Sequence, residues 1–168
     1  MTETLPRTQG GQANRTGNVL ENVVIGTLSM HGLEVVQYKD YEHRPLLYGQ
    51  ELLLRNVPYR TLYGGRGRTE FLIRSARYRL CTRVECKWQQ SAGSVDEKLP
   101  HAYLSCIEAI EEDDVIIMIG GNGFRPEAIN WLRQVANERR YVPAEKTNKR
   151  IRVMTTDEFL TWCNNTFR

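Results

Sequence analysis

The chain has 168 residues, of which 40% are hydrophobic and 26% charged, with a formal net charge of +3 at pH 7. That length buries the core of one domain, and no apolar run is long enough to span a membrane. The polar N-terminus lacks the apolar stretch of a secretory signal, and so mild a charge does not by itself announce a polyanion partner.

Residues 1–15, rich in Thr, Gln, Gly and Asn, read as a disordered arm before a domain of residues 16–168. Asn18 predicts the N-cap of a helix over 19–30 that ends at His31-Gly32, with Leu20, Val23, Val24, Thr27 and Leu28 inward. Leu33 to Tyr38 reads as a strand and Asp40 to Gly49 as a loop. Glu51 to Arg55 reads as a short strand stopped by Pro58, and Tyr59 to Tyr63 as a further extended piece. Gly64 to Arg68 is a flexible basic turn, followed by a hairpin of Thr69–Ser75 and Leu80–Gln89.

A helix starts at Pro100 as first-turn proline, with Ala102, Tyr103, Cys106, Ile107 and Ile110 as its core stripe. Val115 to Ile119 is continuously apolar, as in a central strand covered on both faces. A helix follows from Pro126, then a strand over Arg150–Met154 and a last helix capped by Thr156. Such alternation implies a mixed α/β fold with helices on both faces of one sheet.

The chemistry concentrates in Arg83 to Gln89. Val84, Cys86 and Trp88 fall on one face of a strand, while Arg83, Glu85, Lys87 and Gln89 fall on the other. Such a polar face is costly in a buried strand unless a charged ligand needs it. Glu85 and Lys87 stand about 7 Å apart between alpha carbons on one face. That arrangement suits a cation beside a phosphate, with the lysine orienting a water whose pKa the metal lowers. Glu70, on the partner strand of the hairpin, is the second carboxylate. Mg²⁺ fits such an oxygen site because it keeps several waters and few protein ligands.

Two basic groups, Arg66 to Arg83 and Arg139 to Arg152, suit a polyanion or a solvated face equally. Arg66 and Arg68 in the glycine turn are placed to clamp a nucleic-acid backbone. Ser94 and Lys98, just past the Glu85 strand, are placed to contact a phosphate. The four cysteines have no paired metal spacing and read as reduced thiols of a cytoplasmic protein. Gly120 to Phe124 lies between a strand and a helix, where nucleotides bind, but lacks a P-loop lysine and reads first as a tight turn.

Glu85-Cys86-Lys87, placed after a helix and a hairpin, resembles the second part of the motif of the PD-(D/E)xK, restriction-endonuclease-like nucleases. The resemblance implies an αβββαβ core from residue 18 to about 119, with the C-terminal helix-strand-helix as an elaboration. It implies a metal-dependent endonuclease acting on DNA with Mg²⁺ or Mn²⁺, or a catalytically inactive nucleic-acid-binding or assembly module on the same fold. Glu70 and Glu85 would hold the metal with the Cys86 carbonyl, and Lys87 would assist the water. Glu21 would supply an acid from the first helix, and Gln89 matches a glutamine that some members carry two residues after the lysine. Homodimerisation is implied, since one metal site addresses one strand. The chain departs from the family where Glu70 stands in place of the usual aspartate, which leaves Asp40, Glu51 and Asp96 as substitute acids.

Overall fold

The computed structural model of the chain describes residues 10–93 and 95–168, with side chains from residue 19 onward. Helix α1 (Gly10–Met30) begins upstream of the expected Asn18 cap, so residues 10–15 of the expected arm are helical. Residues 1–9 of that arm lie outside the described residues. The helix ends as expected, with Gly32 at φ 85° and Leu33 N–H returning to the Leu28 carbonyl at 3.1 Å.

Strands β1 (Glu34–Gln37), β2 (Glu51–Arg60), β3 (Arg66–Ser75), β4 (Leu80–Trp88), β5 (Asp114–Gly120) and β6 (Arg150–Met154) form one six-stranded sheet in that spatial order. β3 runs antiparallel to both β2 and β4, and the other neighbours are parallel. Helix α3 (Lys98–Glu108) crosses between the parallel strands β4 and β5, and α4 (Pro126–Asn137) between β5 and β6.

Alternation along the strands builds two large cores and a smaller cluster around β1 and β2. Leu53, Phe71, Ile73, Val84, Ile116 and Met118 face α1 and α5 (Thr156–Thr166) on one side of the sheet. Val115, Ile117 and Ile119 face α3 and α4 on the other. The result is a mixed sheet with helices on both faces, in agreement with the restriction-endonuclease-like reading.

Several local expectations are corrected. Pro58 does not stop a strand: β2 runs through it, because β1 pairs only as far as Arg55 and the missing N–H falls on an unpaired edge. The expected loop after Tyr38 contains helix α2 (Tyr38–His43) and a 3₁₀ turn at Pro45–Leu47. Isolated, six residues would not stay helical; here Tyr38, Tyr41 and Tyr48 pack on Val36, Leu52, Leu54 and Leu72. α3 starts at Lys98, with Pro100 still in its first turn. α5 is capped by Thr155 rather than Thr156: Thr155 Oγ1 accepts from Glu158 N–H, and Thr155 N–H donates to the Glu158 carboxylate.

Candidate active site

Strands β3 and β4 pair from Ser75↔Leu80 to Phe71↔Val84 and then separate, although β3 continues to Arg66 and β4 to Trp88. On its other edge β4 stays paired with β5 as far as Trp88↔Gly120. The sheet therefore forks, with β3 the strand that leaves. At the same level Asn56 of β2 takes φ 55° and interrupts the ladder between Arg55↔Phe71 and Val57↔Thr69. Asparagine is among the few residues that tolerate that conformation.

The fork is where the carboxylates gather. Glu70 Oε2 accepts from the Cys86 backbone N–H at 2.7 Å, taking the place of the β3 carbonyl that has moved off. A strand residue turns its N–H and C=O to the same edge, so the Cys86 carbonyl also faces the gap. Glu85 is 8% exposed. One of its oxygens pairs with Lys87 Nζ; the other, Oε2, is buried with no hydrogen-bond partner among the described residues. Burial, and then the Glu85 charge beside it, push the Glu70 carboxyl up to about 7. Burial pulls the Lys87 ammonium down, but Glu85 and Glu70 outweigh it and hold the lysine above its ordinary value.

This donor set suits a hard divalent cation. An unpartnered buried carboxylate oxygen is a standing cost, and a carboxyl kept from ionising by burial and a like charge ionises more easily, releasing its proton to solvent, once a cation offsets that charge. Two carboxylates and a backbone carbonyl are oxygen donors of the type Mg²⁺ takes alongside water. The Cys86 thiol does not belong to it: burial, then Glu70 and Glu85, raise it well above its usual value and keep it protonated.

The family model for the PD-(D/E)XK nuclease superfamily domain matches residues 12–167. The chain belongs to the PD-(D/E)XK nuclease superfamily. Neither a curated protein nor a solved structure matches it. Members of the superfamily generally use divalent metals, and nuclease membership implies a nucleic acid as substrate.

Against the superfamily pattern, the rival acids stand apart from Glu85. Asp40 is exposed on α2; Glu51 is bonded at the far end of β2 by Ser75 Oγ and Arg77 N–H; Asp96 is paired with Arg125. Glu21, on α1, meets Arg55 Nη2 at 3.4 Å, and its charge reaches the Cys86 thiol from the α1 side of the sheet. Gln89 lies just past β4, donating to the Ser91 carbonyl at 3.1 Å and accepting from Lys98 Nζ at 3.4 Å. It makes no hydrogen bond to Glu85 or Lys87 among the described residues. Ser94 lies outside the described residues. Arg66 and Arg68 are exposed, on the outer end of β3 rather than in the turn, and pair in register with Arg60 and Pro58.

The second basic group is engaged by partners within the chain, largely at its surface. Arg139 donates to the Lys146 and Lys149 carbonyls, Arg140 pairs with Glu138, and Arg150 and Arg152 both pair with Asp114. Lys146 Nζ caps the Ile107 carbonyl, and Lys149 Nζ the Ile110 and Glu112 carbonyls. In the first group, Arg83 is buried against Glu112. The Gly120–Phe124 turn is packed on the end of β4: a Cβ on Gly121 would lie 2.1 Å from the Gln89 carbonyl oxygen. Gly123 N–H donates to that same oxygen at 2.8 Å, so it is unavailable to a phosphate.

Tyr59 is a residue that no motif marks. Burial, then the Glu85 charge, raise its hydroxyl's pKa. Its cross-strand partner is Gly67, where a Cβ would meet the ring at 2.7 Å. A glycine inside a strand signals such a close approach, and that was the trace available in the sequence.

Proposed function

We propose that this chain is a metal-dependent endonuclease that hydrolyses DNA phosphodiester bonds, with Mg²⁺ as its cation and Mn²⁺ as a substitute. The observation that carries the reading is the buried, unpartnered Glu85 Oε2 beside Glu70 and Lys87 at the strand fork. Glu70, Glu85 and the Cys86 carbonyl would hold the cation. When bound, it supplies Lewis-acid polarisation of a phosphoryl oxygen and a lower pKa for coordinated water. Lys87 stays protonated and donates to the attacking water or to the oxygen where negative charge grows. Glu21 and Gln89 are supporting residues at the α1 side and at the end of β4. Arg66, Arg68, Lys98 and Ser94 bind the backbone phosphates on either side.

Homodimerisation and a cytoplasmic location complete the proposal. Two copies would address two strands, and all four cysteines are free thiols, as a reducing compartment keeps them. No described helix is long and apolar enough to cross a membrane. Purified protein with DNA and Mg²⁺ tests the reading, beside the Glu85→Ala and Lys87→Ala variants. Cleavage that survives both substitutions sinks the assignment. Salt-sensitive binding without cleavage, in Mg²⁺ or Mn²⁺, gives the alternative of an inactive binding module, for which the glutamate at position 70 speaks.

A further inference from the structure

A strand pair that stops pairing leaves two backbone edges in want of partners. Nothing in the composition of β3 and β4 stops their ladder at Phe71↔Val84; continued in the same register, Thr69 would stand opposite Cys86. Instead Thr69 is held elsewhere. Arg83 Nη1 donates to Thr69 Oγ1 at 3.1 Å and to the Val57 and Pro58 carbonyls at 3.3 and 3.4 Å. The other edge of the guanidinium is fixed by Glu112, to which Nε and Nη2 donate at 2.8 and 2.7 Å. Glu112 in turn has its backbone carbonyl bonded by Lys149 Nζ at 2.7 Å, and Lys149 is itself buried. The chain of contacts runs from the loop before β6 to the base of the β2–β3 hairpin, one residue from Glu70.

Stability is a poor explanation for this arrangement. Arg83 is 4% exposed, and the cost of removing such a charge from water is offset only when its donors are all engaged. Apolar residues of similar size at such positions are often as stable or more so. What an apolar residue cannot do is hold a hydroxyl and two carbonyls at a fixed distance from a carboxylate on the far side.

We propose that Arg83 is a positioning residue for the candidate metal site: braced by Glu112, it keeps Thr69 and the hairpin base off β4 and so holds open the gap across which Glu70 and Glu85 share one cation. The proposal rests on the metal reading given above. Without the brace, β3 closes on β4, Cys86 N–H returns to a backbone partner, and Glu70 is displaced.

The test compares the wild type with Arg83→Met, and with Arg133→Met as a control that breaks another two-pronged arginine–glutamate pair, Arg133 with Glu158. Mn²⁺ binding is read by calorimetry, and ladder closure by cross-strand nuclear Overhauser contacts between Thr69 and Cys86. The expected result for Arg83→Met is Mn²⁺ binding weakened at least tenfold, with Thr69–Cys86 contacts absent from the wild type, while Arg133→Met binds Mn²⁺ as the wild type does. Binding within twofold of wild type with no new contacts overturns the proposal, as does an equal loss of binding in Arg133→Met. If Arg83→Met does not fold, Glu112→Gln is judged by the same criteria. If the wild type itself binds no Mn²⁺, the metal reading fails separately. The contacts then decide alone: closure in Arg83→Met upholds the brace, and their absence overturns it.

Discussion

The two ends of the β2–β3–β4 sheet treat their carboxylates in opposite ways. At the closed end Glu51 receives the Ser75 hydroxyl and the Arg77 N–H, and these bonds outweigh burial to hold its pKa below the ordinary value. At the forked end Glu70 is pushed up to about 7 by burial and by Glu85, and Glu85 keeps a buried oxygen without a partner. The strands are the same and the residue type is the same. What differs is how deeply the carboxylate is buried, whether another carboxylate stands beside it, and how many donors its neighbours supply. A satisfied glutamate pins a turn; an unsatisfied pair has capacity left for a cation.

The largest effect expected from this contrast is on chemistry. Lys87→Ala or Glu85→Ala should lower DNA cleavage in Mg²⁺ by roughly a hundredfold or more, read in a gel or fluorescence assay. Glu51→Ala should leave that rate unchanged, and a comparable loss in Glu51→Ala would erase the distinction between the ends.

Next comes the pH dependence of the metal-free protein. The folded-state value of Glu70, about 7, lies above its ordinary 4.5, so the folded state holds the proton more tightly. Stability from this group is therefore complete below pH 4.5, falls as pH rises toward 7 and is flat beyond. Glu70→Gln, which can still accept from Cys86 N–H, should remove that slope. It should raise stability at pH 8 by an amount on the order of 1–3 kcal/mol, measured by chemical denaturation in chelator, and abolish Mn²⁺ binding. A variant no more stable than wild type at pH 8 would show that the fork carries no such tension.

At the closed end the sign reverses. Glu51→Ala should cost about 1 kcal/mol, the worth of its lost hydrogen bonds, detectable as a lower thermal midpoint. The smallest effect is at α5. There Arg133, together with the Thr155 N–H, holds Glu158 at about 2, below its ordinary 4.5. That stabilisation is present above pH 4.5 and is lost as pH falls toward 2. Because the pair is largely exposed it is screened, and Glu158→Gln should cost only about 0.5 kcal/mol near neutrality. The cost should shrink in acid, as denaturation curves at pH 7 and pH 3 would record.

Much of this was legible in the residues, and what was not has physical reasons. The alternation of Arg83 to Gln89 reports a polar face directly, because side chains of a strand obey a period of two. The continuous run Val115–Ile119 reports burial on both faces for the same reason. The fork is hidden, since it depends on where pairing stops, and that is decided by Asn56, Arg83 and Glu112, which lie far apart in the chain. Charge counts left the second basic group open between a polyanion and a solvated face for a related reason: Lys146, Lys149 and Arg139 have carbonyl partners that no local pattern announces. α2 was missed because its helicity comes from the tyrosines seated on β2 and not from its own six residues.

The capping of α3 also bears on the order in which the molecule can be finished. The Ile107 carbonyl in the last turn of that helix and the Ile110 carbonyl just past its end wait for Lys146 and Lys149, each 39 residues further along the chain. A ribosome therefore completes the Glu85-Cys86-Lys87 stretch long before the segment that ties down Glu112 exists. Until that segment arrives, the guanidinium of Arg83 has a partner on an unfastened loop. The Glu85-Cys86-Lys87 stretch is made early, and its geometry is delivered late.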